Sequence, residues 1–137
     1  MTIKYKKGFD ASIEKLDELF ISIGWNPRGE KRWKEVLSKS YFMYTAWDGR
    51  TLVGMGRIME DGVMCMFYDI GVHAKYRHQG IGSKILQMLI GAVKPKRYAS
   101  IGLFAWKENP ANKSFYKKFG FVEKATGMEL DKYMQPE

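Results

Sequence analysis

The chain opens with an alternation of apolar and polar residues over Thr2 to Lys6, which predicts a short strand. The period then changes. Ile13, Leu16, Leu19, Phe20 and Ile23 recur three and four residues apart, so they share one face of a helix. Ser12 stands where an N-cap is needed, and Gly24 where the helix must stop. The link Trp25-Asn26-Pro27-Arg28-Gly29 is rich in turn residues. A second short helix follows over about Glu30 to Ser38, with Trp33, Val36 and Leu37 on one side. Tyr41 to Trp47 reads as a strand from its aromatic and β-branched content, and Asp48-Gly49 is a hairpin signal. Thr51 to Met59 returns as its partner, with Gly54 and Gly56 weakening it or marking a bulge. After Glu60-Asp61-Gly62, the apolar run Val63 to Val72 predicts a buried strand.

Beyond that run, Ile85, Leu86, Met88, Leu89, Ile90 and Val93 return to helical spacing, and Pro95 ends the helix. Tyr98 to Ala105 is strand-like. Coming after a long crossover helix, it most simply lies parallel to the Val63–Val72 strand. Pro110 can begin a further helix that carries Phe115, Tyr116 and Phe119 and is stopped by Gly120. Phe121 onward reads as a last extended stretch, broken by Gly127 and resumed from Met128 to Tyr133. The order β-α-α-β-β-β-α-β-α-β gives a mixed sheet flanked by helices. Repeats, low-complexity tracts and linkers are absent, so residues 1–137 read as one domain.

The candidate chemistry sits at Val72-His73-Ala74-Lys75-Tyr76-Arg77-His78-Gln79-Gly80-Ile81-Gly82, between the apolar strand and the next helix. A helix start presents unpaired backbone N–H groups and the positive end of the helix dipole. Glycines let a ligand approach the backbone, and Lys75 and Arg77 add charge. The stretch therefore suits a phosphate-bearing ligand. It is not a dinucleotide fingerprint, because Ile85 occupies the third glycine position and no acidic residue follows at the required distance. A Walker A loop is also absent.

Composition narrows the picture further. The net charge of +8 favours polyanionic partners, and a phosphate-bearing cofactor meets that as well as nucleic acid does. The basic residues are spread along the chain and no nucleic-acid motif is visible, which counts against a nucleic-acid-binding domain. The single cysteine, Cys65, excludes an internal disulfide, fits a reducing compartment and falls inside the apolar strand as a structural thiol. Two histidines and one cysteine, at no ligand spacing, predict no metal site. No run is long enough for a membrane span, and the N-terminus lacks the apolar core of a signal peptide, so the cytoplasm is the expected location.

Arg77-x-x-Gly80-x-Gly82 resembles the acetyl-coenzyme A (acetyl-CoA) loop of the GNAT superfamily of N-acetyltransferases. A second stretch, Asn109-Pro110-Ala111-Asn112-Lys113-Ser114-Phe115-Tyr116-Lys117-Lys118-Phe119-Gly120-Phe121, resembles that family's Asn-x-x-Ala-x-x-Phe/Leu-Tyr-x-x-x-Gly-Phe motif, with Asn112 at the usual alanine position. The resemblance implies an α/β (α+β) fold: a mixed, mostly antiparallel sheet with a central parallel strand pair and about four helices. It implies transfer of an acetyl group from acetyl-CoA to a primary amine of a small molecule or peptide. The cofactor contacts it implies are the backbone of Ile70, Gly71 and Val72 for the pantetheine arm, and Arg77, His78, Gln79, Gly80, Ile81, Gly82 and Ser83 for the phosphates. Asn109 and Phe115 complete that set.

The reaction needs three further things. The leaving thiolate needs a proton, and Tyr116 occupies the family's general-acid position. The charge developing on the thioester oxygen needs a fixed N–H donor. The acceptor must be neutral before it attacks, because an aliphatic ammonium has a pKa near 10.4. Asp69 and His73 are the candidate bases, acting directly or through water, and an amine that arrives already neutral would need neither. By simple alternation Asp69 and His73 share a face with Cys65 and Phe67, while a bulge would reset that parity. Trp25 and Trp33, and beyond them Trp106, are candidates for an acceptor pocket. An acyl-CoA-sensing module without turnover stays open as an alternative, as does a homodimer.

Overall fold

A computed structural model describes residues 2–106 and 109–130. The chain divides into two compact units, Met1–Leu103 and Phe104–Glu137. In the first, β1 (Lys4–Lys7), α1 (Ile13–Ile23), α2 (Gly29–Lys39), β2 (Phe42–Asp48), β3 (Thr51–Glu60), β4 (Met64–Val72), α3 (Ile81–Val93) and β5 (Ser100–Leu103) follow in order. The strands form one five-stranded sheet in the order β1-β2-β3-β4-β5. Neighbours are antiparallel from β1 to β4, and β5 runs parallel to β4 from Met64↔Ser100 to Phe67↔Leu103. The mixed, mostly antiparallel sheet with a parallel pair is therefore observed. The described residues of the second unit hold one helix, α4 (Pro110–Lys117).

Each face of the sheet in the first unit has its own cover. On one face Leu16, Leu19 and Phe20 of α1 and Trp33 of α2 pack with Met43, Leu52 and Met55 in a buried cluster. Ser12 accepts from the Lys15 N–H and Gly24 closes α1 in the left-handed conformation, as their positions predict. On the other face lies α3, with Ile81, Ile85, Leu86, Leu89 and Val93 buried. Gly54 and Gly56 make that close approach of helix to sheet fit. A Cβ on Gly54 would stand 2.9 Å from Ile85 Cδ1, and one on Gly56 would stand 2.9 Å from Leu89 Cδ1. Their first role is thus room for α3, not weakness in the strand.

The β2–β3 hairpin turns at Gly49-Arg50, since Asp48 pairs with Thr51. Residues 121–130 form no strand, so the extended stretch expected from Phe121 adds nothing to the sheet among the described residues. Its last part, 131–133, lies outside them. Among the described residues no helix is long and apolar enough to cross a membrane.

Candidate functional site

β4 hands over to α3 through a short basic loop. His73 starts a single 3-10 turn, Ala74–Tyr76, and the Tyr76 hydroxyl donates to Asp48 Oδ2 at 2.6 Å, which ties the loop to the end of β2. His78 and Gly80 both adopt positive φ, 63° and 82°, and turn the chain into α3. Nothing lies within 4 Å of a Cβ built on Gly80, so its conformation, not lack of space, calls for glycine. The first intrahelical bond runs from the Lys84 N–H to the Gly80 carbonyl. The N–H groups of Ile81, Gly82 and Ser83 precede it, no side chain caps them, and the first turn carries no acidic residue. Lys75, Arg77 and Lys84, all exposed, lie within a few residues of these donors along the chain. A diphosphate fits this cradle on charge, donors and open space.

A few residues earlier β4 is irregular. Met55 pairs with Gly71 but Arg57 pairs with Tyr68, so Asp69 and Ile70 together oppose Gly56. This is a bulge, and Asp69 takes it up with φ of 54°. That region costs a side-chain-bearing residue roughly 1 kcal/mol, Asp less than most. Beyond the bulge the faces are exchanged: a Cβ on Gly56 would meet Ile70 along with Leu89 and Ile85, so Ile70 faces α3. Simple alternation would instead have put Asp69 on that side with Cys65 and Phe67. The parity expected from sequence is therefore reversed at Asp69.

The bulge also orients backbone groups. The His73 N–H donates to the Val53 carbonyl at 2.8 Å. Alternation then turns the Gly71 N–H toward β3, and those of Ile70 and Val72 toward the opposite edge of β4. On that edge pairing with β5 has already ended at Phe67↔Leu103.

Asp69 sits between two arginines. Arg28 grips both carboxylate oxygens, Nη1 on Oδ2 at 2.7 Å and Nη2 on Oδ1 at 3.0 Å, and Arg57 Nε donates to Oδ2 at 2.6 Å. Burial alone would push the Asp69 carboxyl up, but the two guanidiniums outweigh it and hold the group below the usual carboxylate range. A carboxylate committed to three charge-assisted hydrogen bonds has little basicity left for an ammonium. This geometry argues against the general-base role expected for Asp69.

His73 is also committed. Its Nδ1 accepts from the Lys75 N–H at 3.1 Å, which leaves the ring proton of the neutral form on Nε2. Partial burial, followed by the charges of Lys75 and Arg77, moves its pKa down. The lone pair needed to take a proton from substrate is occupied, so the base role expected for His73 does not fit this geometry either.

Trp33 is fully buried and donates through Nε1 to Asp17 Oδ1 at 2.6 Å, so it is a core residue and not an acceptor contact. Trp25 is different. It is 37% exposed, and a Cβ on Gly71 would come 2.8 Å from its ring, so Trp25 lies directly against β4 next to the bulge. Cys65 is buried in β4, and burial, with a smaller effect of Glu60, pushes its thiol up to about 11. It stays protonated and structural.

In the second unit Tyr116 is the buried residue of α4, in ring contact with Phe115 at 5.3 Å and Phe121 at 6.0 Å. Burial pushes its phenol up, so it holds its proton at neutral pH and is available as an acid. Asn109 occupies the N-cap position of α4, yet its side chain makes no capping bond. Trp106 is exposed, in ring contact with Phe104.

Sequence reasoning overlooked Arg28, Arg57 and Asp17. One signal existed: Arg57 stands in an otherwise apolar strand, and a charge there requires a buried partner. Asp17 accepts the backbone N–H groups of Arg28 and Gly29 at 2.9 and 3.0 Å and so fixes the link that Arg28 belongs to.

The family model of the acetyltransferase (GNAT) domain matches residues 39–123. An uncharacterized N-acetyltransferase, ycf52, of Pyropia yezoensis is 28% identical over 123 residues, which span 86% of this chain and 69% of that protein. A GNAT family acetyltransferase of Streptococcus pneumoniae is 29% identical with a TM-score of 0.79, covering 99% of this chain and 100% of the other. A GNAT acetyltransferase from Elizabethkingia anophelis, solved with acetyl-CoA bound, shares the fold at 19% identity, with a TM-score of 0.71 over 90% of this chain and 78% of that one.

Proposed function

This chain belongs to the GNAT family of acetyltransferases, and from that premise we propose that it moves an acetyl group from acetyl-CoA to a primary amine of a small molecule or peptide by direct attack. The observation that carries the reading is the cradle at the start of α3: unpaired N–H groups, glycine-set backbone and basic side chains where β4 ends. Acetyl-CoA supplies the activated acyl group as a thioester.

In this reading the N–H groups of Gln79 to Gly82 hold the diphosphate and Arg77 adds charge. The main chain of Ile70 to Val72 binds the pantetheine arm along the edge that β5 leaves. The Ile70 N–H, turned to that edge by the bulge, donates to the thioester carbonyl as it gains charge. Tyr116 protonates the departing sulfur, and Asn109 and Phe115 contact the cofactor. Trp25, exposed beside Gly71, walls the acceptor side.

Asp69 and His73 are both engaged, so the acceptor enters as the free amine or loses its proton to water. Turnover at sub-saturating acceptor then climbs with pH toward the pKa of the amine itself, near 10.4 for an alkylamine. The test is thiol release from acetyl-CoA against a panel of small amines, amino acids and peptides, with Tyr116→Phe beside the wild type. The expected result is release with at least one amine and a loss of about 100-fold in turnover for Tyr116→Phe, with little change in cofactor affinity. Acetyl-CoA binding without release for any amine would make the chain an acyl-CoA sensor instead.

A further inference from the structure

The bulge in β4 has no reason to form from its own sequence. Gly71 is close by, yet the positive φ falls on Asp69, a residue with a Cβ. What distinguishes Asp69 is its side chain, which is 13% exposed and reaches two arginines 41 and 12 residues away along the chain.

Both arginines are themselves fixed. The Arg28 guanidinium lies 4.8 Å from the Phe20 ring and 4.7 Å from the Trp33 ring, and its backbone N–H is held by Asp17. The Arg57 guanidinium lies 5.1 Å from the Tyr68 ring, and its Nη1 donates to Ser40 Oγ at 3.3 Å. The carboxylate position is thus dictated by α1, α2 and β3 together, and the backbone of Asp69 has to follow its side chain.

We propose that Asp69 is a positioning residue: clamped between Arg28 and Arg57, it locks the β4 bulge and so aims the Ile70 N–H at the thioester carbonyl. The inference rests on the acetyl-transfer reading given above. It also makes the link at Arg28, beside Trp25 on the acceptor side, part of the same rigid unit as the carbonyl donor. Asp69 itself touches neither the acyl group nor the amine.

The test reads the carbonyl directly and needs no acceptor. Acetyl-CoA carrying carbon-13 at the thioester carbonyl is bound to the whole protein, and its infrared stretch is compared with that of the free cofactor. Wild type is expected to shift the band to lower wavenumber. Asp69→Ala, which lacks both the ion pairs and the tolerance for positive φ, is expected to lose most of that shift and about 100-fold in kcat, with the Kd for acetyl-CoA nearly unchanged. Asp69→Asn, which tolerates positive φ and still accepts from arginine, is expected to restore most of the shift. Arg28→Gln, at a half-buried position, is expected to lose part of it, and it carries the test if Asp69→Ala does not fold.

A wild-type band shift in both Asp69→Ala and Arg28→Gln overturns the inference. So does wild-type protein that binds acetyl-CoA without shifting the band, and in that case cofactor binding stands. If acetyl-CoA does not bind at all, the acetyl-transfer reading falls and this inference with it. The pH profile gives a second readout. Asp69→Asn keeps the wild-type rise of kcat/KM with pH if Asp69 only positions, and loses it if Asp69 is the base.

Discussion

Two devices lie within a few residues of each other at the end of β4, and they are built in opposite ways. The loop from His73 to Ser83 is mostly local, anchored from afar by the Tyr76 bond to Asp48 and the His73 N–H bond to Val53. Its N–H donors come from the start of α3, its turns from His78 and Gly80, and its charge from Lys75, Arg77 and Lys84, all in one short stretch. The bulge at Asp69 is assembled from afar, by Arg28 ahead of α2 and Arg57 in β3. A phosphate tolerates small displacements because several donors share it, so a local loop suffices. A single N–H aimed at a carbonyl needs its angle fixed, and only a packed frame does that.

The largest test of this contrast is Arg57→Met. Removing one cation from a buried triad leaves part of the Asp69 charge uncompensated, and stability should fall by about 3 kcal/mol in urea unfolding. Acetyl-CoA affinity of the folded protein should hold, because the loop is built independently. If affinity falls while stability holds, the two devices are not separate.

Gly82→Trp is the converse change. It should cut acetyl-CoA affinity by about 100-fold, roughly 2.7 kcal/mol, measured by calorimetry, with the urea midpoint close to wild type. Unchanged affinity would remove the loop from the proposed function.

Acid sharpens the difference further. The folded-state pKa of Asp69 is held down, so its contribution to stability is fully present above the unfolded value, about 3.9, and fades as pH falls through the folded value. The stability gap between wild type and Asp69→Asn should therefore be constant near neutrality and close below about pH 4. A gap that persists at lower pH would mean that the carboxylate charge is not what separates the two proteins in stability.

Arg77→Gln should have the smallest effect. It is an exposed charge near a helix start, and its loss should weaken acetyl-CoA binding by about 5-fold at low salt and less at high salt.

The same contrast explains which features were legible beforehand. The α1 stripe, its Ser12 and Gly24 caps, the parallel β4–β5 pair and the glycine loop each depend on residues close in sequence or on one period. Gly54 and Gly56 were ambiguous, because a glycine in a strand signals either a bulge or a close neighbour, and the structure shows both: α3 packs close to each, and Gly56 stands opposite the β4 bulge. Asp69 and His73 carry the right chemistry for a base at the right end of β4. Hydrogen-bond partners engage both, and the arginines that hold Asp69 could not be named from spacing. Trp33 and Trp25 are alike in the sequence, and burial separates them.

The sequence alone determined the order of elements and the place where β4 yields to a glycine-opened helix, because period, caps and turn residues act over a few positions. It also carried the motifs that identify the family. Tertiary structure decided the bulge, the exchange of faces beyond it and the pairing of Asp69 with arginines 41 and 12 residues away. The physical reason is that a buried charge takes its conformation from whichever partners the fold delivers, and no local pattern records who they are.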